Sequence, residues 1–186
     1  MPECSGTQLE FHGLGKRAVV ARFDGGHISS DRGALLLREV EKRTRIMARM
    51  AEQFTDYRDP ELIEHSVEAL VSQRVLGFVL GYADLNDHDC LRFDALLALA
   101  AGKRDSSGQD RRHERDKGKA PASCSTLNRL ELTLAANQLR LYMSSFAYVL
   151  LRSLRRLGLQ GSDLADAQCG TIRTRLLKFG APIRIS

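Results

Sequence analysis

The chain has 186 residues, 43% of them hydrophobic, and a formal net charge of +5. That is enough apolar material to bury a core in one domain or two small ones, and it excludes wholesale disorder. No apolar run approaches the roughly 20 residues of a membrane span, and the N-terminus carries Glu3 and Glu10 with no compact apolar stretch, so a secretory signal is excluded and a cytoplasmic protein is expected.

Residues 1–17 read as a loose lead-in with Gly6, Gly13 and Gly15. Ala18 to Phe23 is apolar and partly β-branched, which predicts a short strand, and Asp24-Gly25-Gly26 stops it. Ser29, Ser30 and Asp31 offer side-chain oxygens to the free N–H groups of a helix start. A helix is expected over about 32–53, with Leu36, Val40, Met47 and Met50 on one stripe. Asp59-Pro60-Glu61 places a capping carboxylate, a proline and an acid at a second start, and that helix is expected to run to Leu80, where Gly81 ends it.

Asp84 to Asp94 is rich in capping residues and opens one or two short helices, and Leu96 to Ala101 continue the apolar pattern. Residues 102–122 contain hardly any apolar side chain and read as a solvated loop. Ser123 or Ser125 caps a short segment through Leu130. The next helix is expected over about 134–157, where Leu139, Met143, Phe146, Leu150, Leu154 and Leu157 step by three or four. Ser162-Asp163 caps a short helix to about Gln168. Residues 171–179 are ambiguous: Ile172, Thr174 and Leu176 alternate as in a strand, while Leu176-Leu177 also fits a helix. The Gly180-Ala181-Pro182 turn before Ile183 and Ile185 tips the balance to a short β-hairpin.

The predicted fold class is mainly α. An N-terminal helical region with one short strand covers 1–132. A C-terminal segment over 133–186 holds the long amphipathic helix and the hairpin.

Three sets of residues could carry chemistry. Asp84, Asp87, His88, Asp89 and Asp94 contain oxygen ligands of the kind magnesium prefers, but their local spacing suits caps and surface polarity better. Asp24, Asp31, Asp56 and Asp59 would have to converge from separate strands to hold paired metals, and each instead sits at a helix start beside Gly, Ser or Pro. No metal ligand and no catalytic residue is assigned.

The third set is cationic. From Asn137 onward there are eight Arg or Lys against Asp163 and Asp166, so the rest of the chain nets −1. Arg140, Arg152, Arg155 and Arg156 fall opposite the apolar stripe of the long helix, and Arg173 and Arg175 follow. A guanidinium bonds two phosphate oxygens at once, so these six are the candidate nucleic-acid contacts; a plain solvated face is the competing reading. The 103–119 loop is weaker, at net +3. Cys4, Cys90, Cys124 and Cys169 are far apart and form no C-x-x-C pair, which predicts free thiols. No Walker-type phosphate loop, nucleophile elbow, H-E-x-x-H pair or G-x-G-x-x-G is present.

Several stretches resemble the bacterial insertion-sequence transposases with a DDE domain. They are Phe23-Asp24-Gly25-Gly26-His27-Ile28-Ser29-Ser30-Asp31-Arg32-Gly33 followed by Leu35 to Glu39, Phe54 to Pro60, His65-Ser66-Val67, Gln73-Arg74-Val75, Gly81 to Asp89 with Leu91-Arg92, and Ser125 to Glu131. Ala136 to Leu141, Phe146 to Leu150 and Ala167 to Arg173 resemble the far C-terminal part of the same family. The resemblance implies that 1–132 is the family's N-terminal helical region and 133–186 the end of its DDE domain. In that family a long central segment between these parts holds an RNase H-like sheet and the Asp, Asp and Glu that bind magnesium. Here the two parts meet near Thr133 to Ala135, so the resemblance implies that the RNase H-like core and its cofactor site are absent. It further implies DNA partners, the terminal inverted repeats, and association with full-length transposase or with itself, and no membrane partner.

Overall fold

A single left-handed residue decides how the first helical region is built. The computed structural model describes residues 9–14, 17–21, 28–29, 31–132 and 136–185, with side chains over 31–132 and 141–180. The helix expected over 32–53 is two helices, α1 (Ala34–Thr44) and α2 (Ile46–Ala51), broken at Arg45 with φ 52°. Glu41 makes the break tenable. Its carboxylate accepts from the backbone N–H groups of Met47 and Ala48 at 2.9 and 3.0 Å, which satisfies two free donors at the start of α2. Burial pushes the Glu41 carboxyl up from its ordinary range, against the pull of those donors. The N-cap of α1 is Gly33, which has no side chain to offer, and Ser30 and the side chain of Ser29 lie outside the described residues. Asp31 is instead buried and accepts from the Tyr82 hydroxyl at 2.7 Å.

The second helix also differs from expectation at its start. Asp59 and Pro60 launch only a 3-10 turn over Pro60–Leu62, with Asp59 accepting from Glu61 N at 3.0 Å. Ile63 is extended, and the chain restarts where Ser66 accepts from Ala69 N at 3.2 Å. The result is α3 (Val67–Leu80), ended by Gly81 at φ 96°. α3 is the central strut. Apart from its first turn and Phe78 it is buried all round, including Gln73 and Arg74, so it has no polar face of its own. Two short helices follow, α4 (Asp87–Leu91) and α5 (Ala95–Ala100), and Asp94 caps α5 through Leu96 N and Leu97 N at 2.8 and 3.1 Å.

The 102–122 segment is a largely exposed loop, as expected, but parts of it are anchored. Ser106, Arg111, Ala120 and Ala122 are buried, and polar rather than apolar contacts tie the segment down. Lys103 donates to the Glu64 carbonyl at 3.0 Å, Asp116 pairs with Arg92 at 2.6 Å, and Gly118 N bonds Gly108 O at 3.0 Å. A 3-10 turn covers Glu114–Asp116.

α6 (Cys124–Leu132) leads to α7 (Ala136–Gly158), the long helix expected over 134–157. Met143, Ala147, Leu150, Leu151 and Leu154 are buried as α7 packs on α3 and α1. Leu157 departs from the expected stripe and is exposed. The apolar face of α7 therefore covers the N-terminal helices, joining the two halves in one core.

The hairpin expected after Thr171 is also corrected. Residues 161–166 are turns, α8 (Cys169–Ile172) is short, and Arg173–Leu177 is a π-type turn that buries Ile172 and Leu177. Four strands form one antiparallel sheet in the order β1-β2-β4-β3: β1 (Leu9–Leu14), β2 (Arg17–Ala21), β3 (Ile28–Ser29) and β4 (Ala181–Ile185). β2 is the strand expected near 18–23. β4 pairs with the N-terminal strands rather than with its own neighbours. The mainly helical class holds. Asp24, the junction 133–135 and the side chain of Arg140 lie outside the described residues.

Candidate nucleic-acid interface

The six candidate arginines do not share one fate. Arg152 and Arg156 are exposed and one turn apart on the outer face of α7. Arg155 is half-buried and donates to the Ala167 carbonyl at 3.2 Å. Arg173 is half-buried too. Its Nε donates to Val79 O at 2.7 Å and its NH2 to Phe78 O at 3.4 Å, closing the C-terminal end of α3 where free carbonyls carry partial negative charge. Arg175 is exposed on the π-type turn. Arg140 contributes its backbone to α7.

The outer face of α7 has two halves. At 100° per residue, Leu141, Tyr142, Ser145, Tyr148, Val149, Arg152 and Arg156 fall within about 120° of one another. All seven are exposed. The face is thus apolar and aromatic in its first half and cationic in its second.

Several of the candidate acids are engaged in turns and caps. Besides Asp59 and Asp94, Asp84 accepts from Asn86 N at 3.0 Å. Asp89 reaches across to the start of α6, where Cys124 N and Sγ lie at 3.1 and 3.0 Å. Asp56 accepts from Arg58 through Nε and NH2, both at 2.7 Å, and the Arg58 bonds hold its carboxyl below the usual range. Among the described residues no three of His, Cys, Asp and Glu come together as metal ligands. These acids do not fit a two-metal cage, and no step is derived through one. Cys90, Cys124 and Cys169 are free thiols.

His88, considered above as a metal ligand, belongs to a buried polar knot. Gln73 makes a two-way amide pair with the Ala122 backbone, at 2.9 and 2.8 Å, so its remaining N–H faces His88 Nδ1 at 3.2 Å. Arg74 NH1 faces the other ring nitrogen at 3.4 Å. Burial and then Arg74 push the imidazole down to about 4, so it stays neutral. Gly77 gives the ring its space, since a Cβ there would stand 2.9 Å from His88 Cε1. Arg74 is fully buried and pairs with Glu131 at 2.7 Å, donates to Ala83 O at 3.0 Å, and stacks 4.3 Å from the Phe78 ring. This knot locks α3, α4, α6 and the end of the 102–122 segment together.

A second cationic cluster surrounds buried His65, which contacts Arg111. Burial, then Lys103 and Arg111, push His65 down to about 3. Burial and Arg111 push Lys103 down to about 8.

Sequence reasoning missed a cleft of about 490 Å³ between the 54–58 segment and α6. Phe54, Val67, Leu70 and Leu130 line its floor, and Tyr57, Arg58 and Arg129 its rim. Tyr57 is 90% exposed. Only an aromatic beside an arginine marked this place in the sequence, and no periodicity did.

The chain is mainly helical, and the second half of the outer face of α7 is cationic. The model of the family described as transposase DDE domain group 1 matches residues 11–136 and 132–186, and the chain belongs to that family. No curated protein and no solved structure matches it. Among the described residues, no helix is long and apolar enough to cross a membrane.

Proposed function

We propose that this chain is a truncated insertion-sequence transposase that binds DNA and does not cut it. One observation carries the reading: the two matched segments of the family meet at 132–136, leaving no intervening chain between the N-terminal helices and α7. The in-line chemistry of a DDE enzyme needs carboxylates gathered around paired metals. Asp56, Asp59, Asp89 and Asp94 are engaged instead in caps and an ion pair, which supports an inactive chain.

DNA binding rests on Arg152, Arg156 and Arg175, which are exposed, with Arg140 on the same helix. Arg155 and Arg173 position backbone carbonyls in this reading. The partners are the terminal inverted repeats. Binding to a duplex carrying such a repeat should weaken with salt, with a log–log slope of about −4 for four or five phosphates. The same preparation should cleave no strand with magnesium or manganese. Salt-insensitive binding, or metal-dependent cleavage by the pure chain, would defeat the proposal.

A second reading is favoured by the exposed Leu141, Tyr142, Tyr148 and Val149. In it the outer face of α7 joins full-length transposase, or another copy, and inhibits transposition. Co-expression with the intact enzyme separates the two: an inhibitor lowers transposition even when Arg152 and Arg156 are replaced by alanine, and a DNA competitor does not.

A further inference from the structure

We infer that the cleft between the 54–58 segment and α6 takes an unpaired nucleotide of a DNA strand, with its base on the apolar floor against Tyr57 and its phosphate beside Arg129. This rests on the DNA-binding reading and adds a second contact, of different chemistry, to the arginines of α7.

Size comes first. A volume of about 490 Å³ lies within the roughly 300–1,000 Å³ of small-ligand clefts. The floor of Phe54, Val67, Leu70 and Leu130 suits a flat apolar body. Tyr57 stands at the rim almost wholly in water, although a phenol ring loses free energy there. Every base presents a π face to such a ring, whatever its sequence. Thr55 and Thr126 add hydroxyls that can meet a base edge.

Charge then selects the occupant. Arg129 is exposed and makes no ion pair among the described residues. Asp56 is the acid in the cleft wall, and Arg58 takes both of its oxygens. An incoming phosphate therefore meets one unpaired guanidinium and no unpaired carboxylate. A wholly apolar partner would strip water from Arg129 and return nothing. A base inside a duplex is stacked on both faces and cannot reach the floor, so the nucleotide must be unpaired.

The test uses a labelled thymidine oligonucleotide and a blunt duplex of equal length, titrated by fluorescence anisotropy against the full chain. Tyr57→Ala and Arg129→Gln change exposed side chains, so folding is preserved. Each should lower single-strand affinity about tenfold or more and leave duplex affinity unchanged. Arg152→Glu with Arg156→Glu should weaken the duplex first. Unchanged single-strand binding by Tyr57→Ala, or no single-strand binding by the native chain, overturns the cleft assignment. No duplex binding by the native chain, with single-strand binding intact, would strike the α7 reading and leave the cleft standing.

Discussion

Gly33 lies against Leu177 with no room for a side chain: a Cβ on Gly33 would stand 2.2 Å from the Leu177 Cα. Gly33 N also donates to Leu177 O at 3.0 Å. The contact is part of a longer seam. Ser29 pairs with Ala181 and Ile28 with Pro182 in β3 and β4, and Gly33 with Leu177 continues the same antiparallel register. The β3–β4 pairing and the Gly33–Leu177 bond at the start of α1 thus share one register.

Gly33→Ala should lower stability by about 3 kcal/mol, the upper part of the overpacking range, because the obstruction is backbone and cannot rotate away. Urea unfolding measures it. A loss under 0.5 kcal/mol, on the order of a surface substitution, would show that the seam is loose.

Glu131→Ala should cost about 3–5 kcal/mol, since it leaves the Arg74 guanidinium fully buried without its ion pair. Replacing both partners, Arg74→Met with Glu131→Leu, should recover much of that loss, because the stranded charge goes with its partner. Double-mutant unfolding experiments test this. A double variant no better than Glu131→Ala would mean that the backbone bonds of Arg74, not the ion pair, carry the knot.

Acid should weaken the fold before the carboxylates titrate. His65 and His88 are held neutral, at about 3 and 4, while an unfolded histidine takes up a proton near pH 6.5. The unfolded state therefore binds more protons below that pH, and stability falls as pH drops from about 6.5 towards those values. Each histidine contributes a slope of about 1.4 kcal/mol per pH unit in that window. Unfolding free energies at pH 6.5 and 5.0 should differ accordingly, and His88→Gln should halve the slope. A flat profile over this range would exclude the buried neutral pair.

The arginines should separate by role. Arg152→Ala and Arg156→Ala should each reduce the salt slope of duplex binding by about 1 and leave the melting temperature unchanged. Arg173→Ala should do the reverse, lowering stability by about 1–3 kcal/mol through the Val79 carbonyl left without its side-chain donor. Thermal melting beside salt-dependent titration distinguishes them, and a fall in melting temperature for Arg152→Ala would move that residue to the structural group.

Much of the helical layout was legible in the residues themselves. The stripe of Met143, Phe146, Leu150 and Leu154 repeats every three or four positions, and a helix must place such residues on one side whatever they touch. The capping role of Asp59 and Asp94 was legible for the same reason, because the donors each carboxylate meets lie two or three residues away. The family was legible too, in ordered runs such as Phe54 to Pro60 and Gly81 to Asp89.

What the tertiary structure alone decided concerns partners far apart in the chain. The charged 102–122 loop is anchored by Glu64 and Arg92, Arg173 is turned onto α3, β4 pairs with β2 and β3, and Tyr57 and Arg129 flank one cleft. Spacing along a sequence reports which residues share a face. It does not report what that face meets. An arginine that binds phosphate and one that satisfies a carbonyl 94 residues away look alike until the chain is folded.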